Sequence, residues 1–306
     1  MKYISKKISG LIIALLIVTM AAFAAFEIIP GDPARTILGT EATEESVMAL
    51  REEMGLNRPL PQRYCTWVKD FVTGDMGTSY FYQMPVKEMI GDKTPITVSL
   101  AVMAFFFILL IAIPVSIISV KYKDGFIDRL FLVLNQINMS IPPFFIGILF
   151  TFIFGLTFKM FIPGGYVSYT ESFGEFIKYL IFPALAIALP KAAMTTKLLR
   201  NSLLTEMNQD YVRTARSRGN SELRILFVHV FKNGMLPVIT FLGMVAADLV
   251  ANSIVIEQVF GIPGLGRTLI SSISKRDYPV VEAIIVLVVN VLVDLLYRKL
   301  DKRIEI

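Results

Sequence analysis

The basic stretch Asp210–Gly219, DYVRTARSRG, lies between two apolar segments, Phe176–Leu199 and Leu236–Ile256, each long enough to cross a bilayer. No other feature constrains the chain as tightly. Arg213, Arg216, Arg218 and Arg224, with the single histidine His229, fall between the two segments. An arginine at mid-depth in hydrocarbon costs about 2.5–3.5 kcal/mol or more, so the stretch is expected at the cytoplasmic surface, held there by its flanks. Its pattern predicts a short helix from about Asp210 to Arg218. Asp210 sits where the helix dipole favours an anion, and Gly219 lies just past the other end. Two readings follow: a docking element for a soluble partner, or an ordinary positive inner loop.

A length of 306 residues would suit two soluble domains. With 55% hydrophobic and 18% charged residues, however, the chain reads as an all-α integral membrane protein. The net charge of +5 is spread over short loops, with no basic face interleaved with aromatics, which argues against nucleic acid. The single cysteine, Cys65, excludes an internal disulfide and any Cys-based metal site.

Six apolar runs approach the length needed for a core of about 30 Å: 8–29, 97–120, 130–157, 176–199, 233–256 and 280–298. Ala22-Phe23-Ala24 resembles a signal-peptidase site, but the first run is longer than a usual signal core and is expected to stay as a helix. Placing both termini inside puts 17 Lys/Arg on inner segments and 4 on the short outer loops 158–177 and 257–279, as the positive-inside rule asks. The expected divisions are the tail and first span (1–29), a partly helical extracytoplasmic segment (30–95) and a five-span core (96–306) carrying the inner loop 200–232.

In the outer segment, Glu44 and Glu45 open a predicted helix with Val47, Leu50 and Met54 on one face and Gly55 as its stop. A second helix after Pro59 and Pro61 aligns Tyr64, Trp67, Val68 and Phe71. These stripes are expected to pack onto the outer ends of the spans. Pro142-Pro143, Pro183 and Pro190 predict kinks in the third and fourth spans. Asn135, Asn138 and Ser140 in the third span, Asp248 and Asn252 in the fifth, and Asn290 and Asp294 in the sixth are polar positions within apolar runs. They line a path or join helices by hydrogen bonds; Asn138, Ser140, Asp248 and Asn252 are the candidate path residues.

Gly261-Ile-Pro-Gly-Leu-Gly266-Arg267-Thr268 nearly matches a phosphate-cradling loop, but arginine replaces the lysine and no strand precedes it. A compact outer turn built on Gly261, Pro263, Gly264 and Gly266 is the expected alternative, gating the outer mouth. No catalytic constellation is visible, so the chain is not expected to be an enzyme. If ATP energises its work, another chain hydrolyses it.

The ordered motifs resemble one family. They run from Ile29-Pro-Gly-Asp-Pro33 and Gly74-Asp75-Met76-Gly77 through Asp210–Gly219 and Phe260–Arg267 to Arg276-Asp-Tyr-Pro-Val-Val281. Together they are similar to the peptide/nickel-type permease subunits of ATP-binding-cassette importers, over nearly the whole chain. The resemblance implies a type I importer membrane domain with six spans in a bacterial plasma membrane. It implies that Asp210, Tyr211, Arg213, Thr214, Ala215, Arg216, Arg218 and Gly219 form the coupling segment toward an ATPase. Arg213 stands where the general pattern has an acid, and Pro237 lies farther from Gly219 than in sugar-type permeases. The implied partners are a homologous second permease, two ATPase subunits that bind ATP and Mg, an extracytoplasmic solute-binding protein and the lipid bilayer; no cofactor is implied in this chain. Relative to the family pattern the sixth span looks short, by one or two turns. Peptide, nickel or another small solute as cargo, a secondary transporter and a non-transporting scaffold stay open as readings.

Overall fold

The computed structural model describes residues 31–39 and 41–300, with nine positions between Gly10 and Ala24; side chains are described as far as Val289. The predicted first span, 8–29, thus lies largely outside the described residues, as do the side chains of Asn290 and Asp294. Among the described residues the protein is helical, with a single antiparallel bridge, Thr78 to Pro85. The helices are α1 (Pro33–Leu38), α2 (Glu44–Glu53), α3 (Leu60–Val72), α4 (Val86–Lys121), α5 (Phe126–Ser140), α6 (Pro143–Thr157), α7 (Phe173–Glu206), α8 (Asp210–Ser217), α9 (Glu222–Phe260), α10 (Leu265–Lys275) and α11 (Tyr278–Leu300). They fall into two compact units: 1–97 with 263–297, and 98–262 with 298–306.

In the first unit, local chemistry starts each short helix. The Asp32 carboxylate caps α1 by accepting from Ala34 N–H at 3.0 Å, and Thr43 caps α2 by accepting from Ser46 N–H. The acids Glu44 and Glu45 open α2, and Gly55 beyond its end has φ +67°. On α3 the rings of Tyr64, Trp67 and Phe71 follow one another at 6.1 and 5.6 Å. Tyr64 reaches the first apolar run as expected: its hydroxyl lies 2.8 Å from Thr19 Oγ1, and its ring meets Phe23 edge-on. Val86, Met89 and Ile90 of α4 form a core with Leu265, Val280, Ala283 and Ile284. The buried Asp277 carboxylate accepts from the Ser79 hydroxyl and from Tyr80 N–H, fastening the loop 78–85 to the α10–α11 junction.

The second unit is built around α7, which packs against α5, α6 and α9. Within its most apolar stretch 61% of residues are buried, against 39% for α4 and 33% for α9. Ser172 caps α7, and a run of alanines (184, 186, 188, 192, 193), all buried, lets neighbouring backbones approach. Aromatic rings of α6, α7 and the intervening loop close one end, with Phe154 and Phe161 stacked on Phe182 at 4.9 and 5.0 Å. Gly234 of α9 is placed so that an added Cβ would lie 2.7 Å from Leu203 Cδ2, and Leu203 is fully buried. Gly234→Val is therefore expected to cost about 1–3 kcal/mol by overpacking, seen as a lower melting temperature of the detergent-solubilised protein; an unchanged melt would show that α7 and α9 are not packed this closely.

Several boundaries differ from the sequence reading. Predicted spans 97–120, 176–199 and 233–256 are parts of longer helices of 36, 34 and 39 residues, about 50–60 Å at 1.5 Å per residue. They are longer than a bilayer is thick, so the predicted inner loop 200–232 is the end of α7, then α8, then the start of α9. The outer loop 257–279 is likewise mostly helix, since α9 runs to Phe260 and α10 fills 265–275. At Ile141-Pro142 the third span is broken rather than kinked, with α5 and α6 meeting at 100°. Pro142 supplies an extended residue there and Pro143 the fixed φ of a first helical position. α7, by contrast, runs unbroken through Pro183 and Pro190. The backbone of α11 starts at Tyr278 and is 23 residues long, so the sixth helix takes in Tyr278–Val281. Three helices are long and apolar enough to cross a membrane, four if α5 and α6 count as one, among the described residues.

Candidate functional site

The basic stretch forms the helix α8, Asp210–Ser217, with Gly219 at φ +80° just beyond it. Asp210 lies in its first turn, where a carboxylate complements unsatisfied N–H groups. Two residues three apart, Val212 and Ala215, point inward and are buried, and α8 packs on the widened π turn Ile225–Val230 that opens α9. Ile225, Leu226 and Val230 of that turn are buried as well. The other face presents Asp210, Arg213, Thr214, Arg216, Ser217 and Arg218 to solvent.

Polar contacts hold the seat. Asn220 donates through Nδ2 to Ala215 O at 2.9 Å, and Gly219 N–H donates to Arg216 O at 3.0 Å. The left-handed Gly219 makes this reversal possible. Tyr211 donates its hydroxyl to Glu206 at 2.6 Å, joining α8 to the end of α7; burial and this hydrogen bond raise the phenol above its usual value. The Arg216 guanidinium grips Glu222 through Nε and Nη2 at 2.6 and 2.9 Å, holding that carboxyl below its ordinary range. Arg213 lies 3.8 Å from Asp210, a loose exposed pair. The Arg218 side chain has no hydrogen bond or ion pair among the described residues.

The start of α5 and the end of α7 are joined by Asp128 and Arg200. Nε and Nη2 of Arg200 donate to the two carboxylate oxygens at 2.8 and 2.6 Å, and Asp124 N–H adds a third bond at 3.0 Å. The Asp128 side chain is 1% exposed and that of Arg200 11%. The guanidinium holds the carboxyl below its usual range, and the carboxylate raises the guanidinium.

The expected path residues divide. Asn138 and Ser140 bond back to their own helix, through Leu134 O and Gln136 O, beside the α5–α6 break. Asp248 is ion-paired with Lys191 of α7, a partner the sequence reading did not name. Asn252 donates to Asp248 O at 2.9 Å, one turn back along α9. Of the outer turn, Gly261 ends α9 in the left-handed region. Gly264 is the N-cap of α10, Gly266 is buried in its first turn and Pro263 precedes it; Leu265 N–H donates to Thr97 Oγ1 at 2.9 Å.

Comparison with known sequences gives two matching family models. Residues 112–306 match the model described as "Binding-protein-dependent transport system inner membrane component", and residues 1–101 match its N-terminal companion. The chain is 32% identical over 309 residues to a probable peptide ABC transporter permease protein, y4tP, of Sinorhizobium fredii, covering 99% of both. It is 34% identical over 312 residues to the oligopeptide transport system permease protein AppB of Bacillus subtilis, again covering 99% of each. It is 32% identical over 311 residues to the glutathione transport system permease protein GsiC of Salmonella typhimurium, covering 100% of this chain and 99% of that one.

Proposed function

Because the chain belongs to the family of binding-protein-dependent transport system inner membrane components, we propose that it is the permease subunit of an ATP-binding-cassette importer for di- or oligopeptides. The observation that carries this reading is α8: a short helix outside the apolar runs, its inner face seated on α9 and its outer face free to be gripped. Two ATPase subunits, which bind ATP and Mg, engage that face. A homologous second permease completes the membrane pore, and an extracytoplasmic binding protein delivers cargo. Closure of the ATPase pair moves α8, and the motion passes into α7 and α9, whose ends it joins. One ligand state is then favoured over another by differential contact. Peptide is preferred to nickel as cargo because the similar proteins above are named for peptides or for glutathione, itself a tripeptide.

The reading is tested by reconstituting the purified assembly in proteoliposomes. Uptake of a labelled peptide should require ATP and the loaded binding protein together. Uptake without ATP, or an assembly from which no ATPase subunit copurifies, would overturn it in favour of a secondary transporter or a scaffold.

Lys191 and Asp248 belong to the path in this reading. An ion pair between spans is retained where it faces protein or water. Asp248→Leu is expected to leave the amount of inserted protein unchanged and to lower peptide uptake strongly, with Lys191 left without its carboxylate. Replacing both, as Lys191→Met with Asp248→Leu, should restore part of the uptake if the loss comes from the stranded cation. Normal uptake by the single variant would remove Asp248 from the path.

A further inference from the structure

The first unit holds a cavity of about 260 Å³ that neither α8 nor the path uses. Its walls include the rings of Phe23, Trp67, Tyr80 and Tyr278, with Glu282 and Arg58 also lining it. Glu282 is only 6% exposed, yet its carboxylate makes no hydrogen bond or ion pair among the described residues. A buried carboxyl group with no hydrogen bond is costly to ionise, and one lining a cavity is placed to meet a cation or donor that enters it. Arg58, at the exposed side of the same cavity, makes no ion pair among the described residues either. Arg63 lines the cavity too, lying over the Phe23 ring at 5.5 Å and attracting Glu282 from a distance. The cavity therefore has a buried carboxyl group, aromatic walls and a charged rim in which Arg58 and Arg63 stand beside Asp70 and Asp75.

Aromatic faces attract ammonium groups, tryptophan most strongly, and burial pushes the Tyr80 phenol up to about 12, so that this wall stays neutral. The volume is below the range of roughly 300–1,000 Å³ that suits drug-sized ligands, so a whole oligopeptide does not fit. Phe23 comes from the first apolar run and Glu282 from the first turns of α11, and tyrosine and tryptophan gather where membrane meets water. We propose that this cavity binds a small zwitterion: a primary ammonium seated against Glu282, with an anionic group a few bonds away held by Arg58. Two sources carry that chemistry, the headgroup of a phosphatidylethanolamine and the unblocked end of a peptide. The site does not depend on the transport reading.

Trp67 is the chain's single tryptophan and reports directly from the cavity wall. The full chain, with its copurifying subunits, is placed in phosphatidylcholine nanodiscs and its emission compared with that of a Trp67→Phe assembly. The probes are glycerophosphoethanolamine and glycylglycine, each also in N-acetylated form. A saturable change with an unblocked probe, lost on acetylation and weakened about tenfold or more by Glu282→Gln, is the expected result. Response to the phosphoethanolamine alone identifies the lipid as the source, to glycylglycine alone the peptide, and to both the shared chemistry. No saturable change with either, or equal response to the acetylated forms, would overturn the proposal. Should Glu282→Gln fail to accumulate, the exposed Arg58→Gln decides: binding as tight as in the unaltered chain counts against the site.

Discussion

Asp128→Ala should lower the melting temperature of the detergent-solubilised protein more than any other single change considered. The pair it breaks is bidentate and nearly inaccessible. Removing one partner of such a pair costs about 3–5 kcal/mol, because the other charge stays buried and unmatched. Asp128→Leu combined with Arg200→Met should cost clearly less than Asp128→Ala alone. Equal or greater loss in the double variant would mean that stranded charge is not the source of the penalty. The same pair sets a pH dependence. The folded carboxyl sits below its ordinary range, so its contribution is complete above that range, where folded and unfolded forms are both ionised. As the pH falls through the ordinary range toward the depressed value, the unfolded chain takes up a proton that the folded chain refuses, and the contribution is lost. The unaltered protein should therefore lose stability across that acid window, and Asp128→Ala should lack this part of the loss.

Ala215→Glu should abolish ATP hydrolysis coupled to transport while leaving membrane abundance intact. Ala215 is 7% exposed and faces the π turn of α9; a carboxylate there must leave that apolar seat, lifting α8 from it. Gly219→Pro reaches the same end through the backbone. Proline fixes φ near −65°, whereas Gly219 sits at +80°, and it removes the N–H that donates to Arg216 O. No atom lies within 4 Å of a Cβ added at Gly219, so Gly219→Ala isolates the conformational cost, about 1–2 kcal/mol, and should retain partial coupling. Stimulation of the ATPase by loaded binding protein is the measurement. Undiminished stimulation in Ala215→Glu and Gly219→Pro would sink the coupling role of α8.

The helices most visible in the sequence were those with a strong period or a plain cap. α8 was expected from Asp210 to Arg218 and occupies Asp210–Ser217; the outer helices at Glu44 and after Pro59 also stand where the acids and prolines put them. What escaped was mostly charge inside apolar runs. Lys191 and Glu282 are inconspicuous in the sequence because hydropathy averages them away. Yet a lone cation in a span demands a counterion, and Asp248 was already in view 57 residues downstream. Asp128 and Arg200 lie 72 residues apart, and nothing local links them. α10 was hidden by its glycine- and proline-rich approach, which reads as a turn although Leu265 onward is amphipathic. The 100° break at Ile141-Pro142 was legible as a proline effect, but not its size.

Lys191 and Arg200 are nine positions apart on α7, which at about 3.6 residues per turn is two and a half turns. They therefore leave the helix on opposite sides, one tied to Asp248 of α9 and the other to Asp128 of α5. Pinned left and right in this way, the rod cannot be wound about its own axis without tearing both fastenings. A tilt that carries α5 and α9 along with it leaves both pairs whole.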